Sequence, residues 1–247
     1  MSQPAAPRRI AVWSGPRNIS TAMMRAWGSR RDTYVTDEPL YAHYLAVTGL
    51  DHPGHDEVIA AGETDWRKAV EFITGPVPEN RSIWYQKHMS HHLLPEIGRE
   101  WLGDVANGFL IRDPREVLAS YIRRRESVTL QDLGLREQIE IFELVLDRTG
   151  KPPPVVDAHD VLSDPARLVP LFCEALGIEF RDDMLHWEAG PRATDGVWAK
   201  HWYDTVERST GFAPYKPKDI RLPDGLEVLA EECRPFYRQL HEHRLGQ

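Results

Sequence analysis

Five short apolar runs, each closed by polar or charged residues, constrain this chain more than any other feature. They are residues 10–13 (IAVW), 33–36 (TYVT), 82–86 (SIWYQ), 108–112 (GFLIR) and 155–158 (VVDA). Each is too short for a helix and is bounded by turn-forming residues, which predicts a strand. Between and after them, apolar residues recur at helical spacing over 19–30, 40–47, 66–74, 93–101, 113–125, 135–148, 168–176 and 226–241. Asp113-Pro114 is a helix start, with Asp as N-cap and Pro at the first helical position. Gly150 and Gly177 are helix stops. Strand and helix in alternation predict a parallel sheet with right-handed crossovers and helices on both faces. The expected fold class is α/β, a three-layer sandwich around a central parallel sheet of about five strands.

A length of 247 residues fits one domain, taken here as 1–247. The net charge of −8 argues against broad binding of nucleic acid or anionic membranes, which a basic surface would serve. No apolar run reaches the ~18 residues of a membrane span. The opening MSQPAAPRR has no apolar core behind its arginines, so it does not read as a signal peptide, and a cytoplasmic protein is expected. Cys173 and Cys233 fall in separate helical segments and are expected as buried free thiols. Residues 181–223 are rich in Trp, Pro and Gly without periodicity, and no element is assigned there.

In a parallel sheet, functional groups collect at the C-terminal ends of strands. The ends here are residues 14–21, Asp37-Glu38, Lys87-His88, Arg112 and His159-Asp160. The first, SGPRNIST, joins strand to helix. Unpaired N–H groups at the helix start attract an anion, Ser20 and Thr21 add hydroxyl donors, and Arg17 adds a permanent charge. At the fourth, Arg112 closes the strand and Ser120 follows two helical turns later. Val117, Leu118, Tyr121 and Ile122 form the inward stripe of that helix, with Ser120 on its flank. Arg123-Arg124-Arg125 reads as a solvated basic helix end. A zinc reading of His88, His91 and His92, with His52 and His55 as partners, lacks the Glu of a metalloprotease pattern, and no metal is expected.

Together these motifs resemble the P-loop-fold sulfotransferases that use 3′-phosphoadenosine 5′-phosphosulfate (PAPS). Their 5′-phosphosulfate loop, Pro-Lys-Ser-Gly-Thr-Thr, is similar to Pro16-Arg17-Asn18-Ile19-Ser20-Thr21. Their 3′-phosphate motif, Arg with Ser eight positions on and then Tyr, is similar to Arg112, Ser120 and Tyr121. Residues 86–95 (QKHMSHHLLP) resemble the Lys-Thr-His-Leu-Pro run of cytosolic members, whose His is the base. The loop also looks like that of a bacterial branch. The resemblance spans residues 10–175.

It implies a P-loop NTPase-like sheet and transfer of a sulfuryl group from PAPS to a hydroxyl or amine of a small molecule, without a metal. The implied donor site is Gly15, Pro16, Arg17, Asn18, Ile19, Ser20, Thr21, Arg112 and Ser120. Arg17 stands where the family has Lys, so it would act as an electrostatic clamp and not as an acid. Two bases are open: His88, by the cytosolic pattern, and Glu38, about where other branches carry a glutamate. Asp37 would assist or cap the next helix. The late Arg-Lys-Gly loop of cytosolic members has no match; the nearest segments are residues 209–212 and 216–218. Trp187, Trp198 and Trp202 are candidates for an acceptor pocket or for packing. The same motifs leave room for a non-catalytic PAP- or PAPS-binding module. An atypical P-loop kinase is disfavoured by the missing GK[ST] and magnesium-binding Asp.

Overall fold

The structure, a computed structural model, describes residues 7–123, 127–217 and 219–247. Five strands form the centre: β1 (Arg8–Ser14), β2 (Thr33–Asp37), β3 (Ile83–Met89), β4 (Ala106–Ile111) and β5 (Val155–Asp157). All neighbouring pairs are parallel, in the order β2-β3-β1-β4-β5. Every residue of β3 is buried. Because successive side chains alternate between faces, both faces of the sheet are covered there. The chain steps one way from β1 to β2 and the other way from β3 to β4. The C-terminal end of β1 is therefore the switch point where such sheets bind ligands.

The helices before β4 are α1 (Ser20–Gly28), α2 (Tyr41–Thr48), α3 (His55–Ala61) and α4 (Trp66–Thr74). Those after it are α5 (Pro114–Tyr121), α6 (Leu130–Leu133), α7 (Leu135–Thr149), α8 (Ala158–Ser163) and α9 (Pro165–Ala175). The last are two short turns, α10 (Ala199–Trp202) and α11 (Asp204–Glu207), and the long α12 (Asp224–His241). Asp113 caps α5 as its sequence signals, accepting from the Arg115 N–H at 2.8 Å. Cys173 and Cys233 are buried free thiols. No helix among the described residues is long and apolar enough to cross a membrane.

Three local expectations change. The helix expected over 93–101 is absent; the segment is irregular, with a short 3₁₀ turn at Glu100–Asp104. Its carbonyls are taken by the Arg99 guanidinium, which reaches Leu94 O at 2.7 Å, Leu93 O at 3.2 Å and Ile97 O, so no helical ladder forms. The helix after Asp113 ends at Tyr121, and Arg124 and Arg125 lie outside the described residues. The third strand runs on to Met89, three residues past its expected end, and this decides where His88 points.

Candidate active site

A cavity of about 520 Å³ opens at the switch point, within the range of small-molecule sites. One wall is the bend between β1 and α1. Pro16, Arg17, Asn18, Ile19, Ser20 and Thr21 all line it, as do Arg112, Ser120 and Arg123. Gly15 lies behind the bend, and only glycine fits: a Cβ there would come within 2.5 Å of Leu133 O. Asn18 pins the bend to β4, its Nδ2 donating to Leu110 O at 3.0 Å and its Oδ1 accepting from the Ile19 N–H at 2.9 Å. Buried Gln138 on α7 ties the same strand ends, donating to Trp13 O at 3.0 Å and Leu110 O at 3.1 Å. No side chain caps α1, and its first turn carries no acidic residue. Its leading N–H groups thus face the cavity with a positive partial charge.

The two distant segments of the donor motif meet here. Arg112 Nη1 donates to Arg17 O at 2.9 Å, and Arg17 Nε donates to Ser120 Oγ at 3.1 Å. Glu116, in the first turn of α5, accepts from Arg112 Nε at 3.1 Å and Nη2 at 2.7 Å, and Tyr215 Oη donates to its other oxygen at 2.8 Å. This clamp holds the Arg112 guanidinium against the bend. Ser209 and Gly211, from the unmatched late segment, also line the cavity, whereas Lys218 lies outside the described residues.

The opposite wall is built on Glu38, which lines the cavity one residue past β2. Lys87 of β3 is in register with Asp37 and lies on the same face. Its Nζ donates to Asp37 Oδ1 at 2.9 Å, Glu38 Oε1 at 2.5 Å and Tyr203 Oη at 2.7 Å. An ammonium has three protons, so Lys87 is fully engaged. Tyr203 Oη donates in turn to Asp37 Oδ2 at 2.7 Å, and the Gly196 N–H reaches the same oxygen at 3.1 Å. Asp37 is thus the anchor of a buried network, not a helix cap.

One ammonium serves two carboxylates in this network. Burial alone would push the Lys87 pKa down, but the charges of Asp37 and Glu38 outweigh it and hold the ammonium well above its ordinary range. Glu38 is the carboxylate left short: burial raises its pKa and Asp37 adds to the rise, against the pull of Lys87. Its second oxygen, Oε2, faces His92 Nδ1 at 3.8 Å. Glu38 and Arg17 are also two of the four described non-glycine residues with positive φ, at 42° and 55°. Backbone held in that region costs about 1–3 kcal/mol and clusters where function requires it.

His88 is not brought to this cavity. In β3 it alternates with Lys87 and so points to the other face, stacked on Trp13 at 4.5 Å and beside Trp101 at 5.7 Å. Burial drives its pKa down to about 3. The neutral ring therefore belongs to the core, which corrects its candidacy as a base. The histidines weighed and set aside as zinc ligands form no group with metal-ligand spacing among the described residues. Among the described residues the one trio with metal-ligand spacing is Asp157, His159 and Asp160. Asp157 is engaged with the His159 N–H and Tyr237, and Asp160 with Arg244. Trp198 and Trp202 line the cavity; Trp187 instead packs on Phe212 at 5.2 Å and donates to Ser209 Oγ.

The buried His88 has a measurable consequence. Its folded pKa lies below the unfolded value of about 6.5, so its contribution to stability is present above that pH and is lost as pH falls toward 3. Lowering the pH from 6.5 to 5 should cost ~2 kcal/mol from this ring alone. Urea unfolding at pH 7 and pH 5 reads the loss, and His88→Phe should flatten it; an unchanged slope in that variant would assign the acid sensitivity to other groups. His92 acts in the same direction, because burial and the neighbouring His91 hold its pKa well below the usual value.

The sequence pattern of the Sulfotransferase domain family matches residues 8–243. Among curated proteins, the chain is 37% identical over 235 residues to branched-chain-amino-acid aminotransferase-like protein 2 of Arabidopsis thaliana, a match covering 95% of this chain and 41% of the plant protein. The chain thus spans about two fifths of the length of the curated relatives it matches. Among solved structures, it superposes on the sulfotransferase domain from the curacin biosynthetic pathway with a TM-score of 0.56 at 16% identity, covering 94% of this chain and 98% of that one. The sulfotransferase domain of the Synechococcus PCC 7002 olefin synthase gives 0.52 at 19% identity, covering 94% and 97%. At those identities the likeness to the solved structures is one of fold. The match over nearly the whole length carries the assignment: this chain belongs to the Sulfotransferase domain family.

Proposed function

We propose that the chain acts as a single-domain sulfotransferase that moves a sulfuryl group from PAPS to a small-molecule acceptor, with Glu38 as the base. The observation that carries this reading is the meeting of Arg17, Arg112 and Ser120 on one wall of a cavity whose other wall is Glu38. The donor wall fits an anion with two charged ends. The leading N–H groups of α1, Ser20 and Thr21 suit the 5′-phosphosulfate, and Arg112 with Ser120 suits the 3′-phosphate.

In the transfer, the acceptor attacks sulfur in line while the bond from sulfur to the phosphate oxygen breaks. Arg17 and the α1 amides stabilise the negative charge growing on that oxygen, in a site organised before the reaction begins. Glu38 takes the acceptor's proton. Burial raises its pKa, which makes this carboxylate a stronger base than a solvated one. Lys87 has no proton to spare for a ligand; it fixes Glu38 Oε1 and leaves Oε2 facing His92 Nδ1, both residues lining the cavity. An acidic group at the acceptor end favours the enzyme over a module that only binds the donor.

A thermal-shift comparison of PAP, PAPS, ATP and GTP, with and without magnesium, tests the donor. PAP and PAPS should stabilise the protein without magnesium; a shift seen only with a triphosphate and magnesium would overturn the reading in favour of a kinase. Arg112→Ala should weaken PAP binding by ~1.5–3 kcal/mol, the range for a charge-assisted hydrogen bond. Unchanged affinity in calorimetry would remove Arg112 from the donor site.

A further inference from the structure

His92 lines the cavity beside Glu38, its side chain 3% exposed. Its ring is stacked on Tyr41, nearly parallel at 4.7 Å, and on Tyr44 at 4.6 Å, so its orientation is fixed. Yet Nδ1 is buried without a hydrogen-bond partner among the described residues, 3.8 Å from Glu38 Oε2. That separation is too long for a hydrogen bond, but one atom can stand within ~3 Å of both. A buried, rigidly held polar atom aimed at a half-engaged carboxylate is the mark of a missing partner.

We propose that Glu38 Oε2 and His92 Nδ1 form a two-point seat for a hydroxyl, and that the acceptor of this protein is an alcohol or phenol and not an amine. The proposal rests on the sulfotransferase reading above and extends it to the acceptor. The carboxylate facing Nδ1 favours the tautomer that carries its proton there. A hydroxyl seated between the two accepts from Nδ1–H with one lone pair, donates its proton to Oε2 and keeps a second lone pair for sulfur. A neutral amine has one lone pair, which His92 would occupy; an ammonium has none. As the new O–S bond forms, the bond from sulfur to the phosphate oxygen breaks. Its electron pair stays on that oxygen, and the hydroxyl proton moves to Glu38. Tyr41, Trp198 and Trp202 wall the same cavity and suit an apolar or aromatic body behind the hydroxyl.

The tautomer can be read without any acceptor, by NMR of the ¹⁵N-histidine-labelled protein, with the His92 signal identified by its loss in His92→Phe. A proton on Nδ1 is expected, and a bare Nδ1 overturns the proposal even where no acceptor has been found. The second arm supplies PAPS with the matched probes 2-naphthol and 2-naphthylamine. Transfer to the naphthol should exceed transfer to the amine by on the order of 10²-fold or more. His92→Phe keeps the stacking and should raise the naphthol KM about tenfold with PAP affinity unchanged; His92→Asn, which restores a donor near Nδ1, should recover part of the loss. Equal use of the two probes, or an unaltered KM in His92→Phe, overturns the seat. Failure of the wild-type protein to bind PAP would instead overturn the donor reading on which the seat rests.

Discussion

Glu38→Gln is expected to lower sulfuryl transfer by ~10²–10⁴-fold, the usual contribution of a positioned general base. The glutamine is the right probe because it keeps the shape and still offers Lys87 an oxygen, so Asp37, Lys87 and Tyr203 stay joined. Single-turnover transfer from radiolabelled PAPS measures the step, and calorimetry with PAP should return an affinity unchanged to within about twofold. In the wild type, kcat/KM should fall as pH drops through the raised pKa of Glu38, because protonation removes the base. The paired control is His88→Phe. If that variant folds and loses transfer while Glu38→Gln keeps it, the assignment of the base is reversed.

The contrast between these two residues shows what the sequence could and could not carry. The alternation of strand and helix was legible because four of the five runs have Gly, Pro or Asp at their edges, the run at 82–86 being the exception, and the donor wall was legible because its residues sit in two contiguous motifs. On the acceptor wall Glu38 was legible as one of two candidate bases, but the choice between it and His88, and the buried network behind it, were not. Residues 82–86 look like a complete strand, so His88 looked like part of a turn and free to face a ligand. In the fold, β3 continues through Met89 with every residue buried, and the period of two sends Lys87 and His88 to opposite faces. Burial of Lys87 would be read from sequence as an error. It is possible because Asp37 lies beside it in register, Glu38 follows at the strand end and Tyr203 arrives from a stretch with no periodicity. That stretch has little regular structure because buried polar ties hold it: Asp195 pairs with buried Arg25 at 2.5 and 2.7 Å, and Gly196 and Tyr203 bind Asp37. Such ties join residues more than a hundred positions apart, and no local pattern records them.

The buried ammonium also makes the largest stability prediction. Lys87→Met preserves length and apolar volume but leaves Asp37 and Glu38 without their counter-charge, and should destabilise the fold by ~3–5 kcal/mol. Urea unfolding of the two proteins at pH 7 measures it. The pH dependence of the difference separates lost charge from lost packing. Burial and Asp37 already raise the folded pKa of Glu38, and removing Lys87 takes away the pull that opposes them. A carboxyl whose folded pKa lies above its unfolded value adds stability below the ordinary carboxylate range and loses it as pH rises. The deficit of Lys87→Met relative to wild type should therefore be smallest near pH 4.5 and grow toward neutrality. In the wild type, Lys87 itself contributes fully below about pH 10.5, because its own pKa is raised in the fold. A deficit that stays constant from pH 4.5 to 7 would mean that packing alone was lost, and that the two carboxylates do not share one buried positive charge.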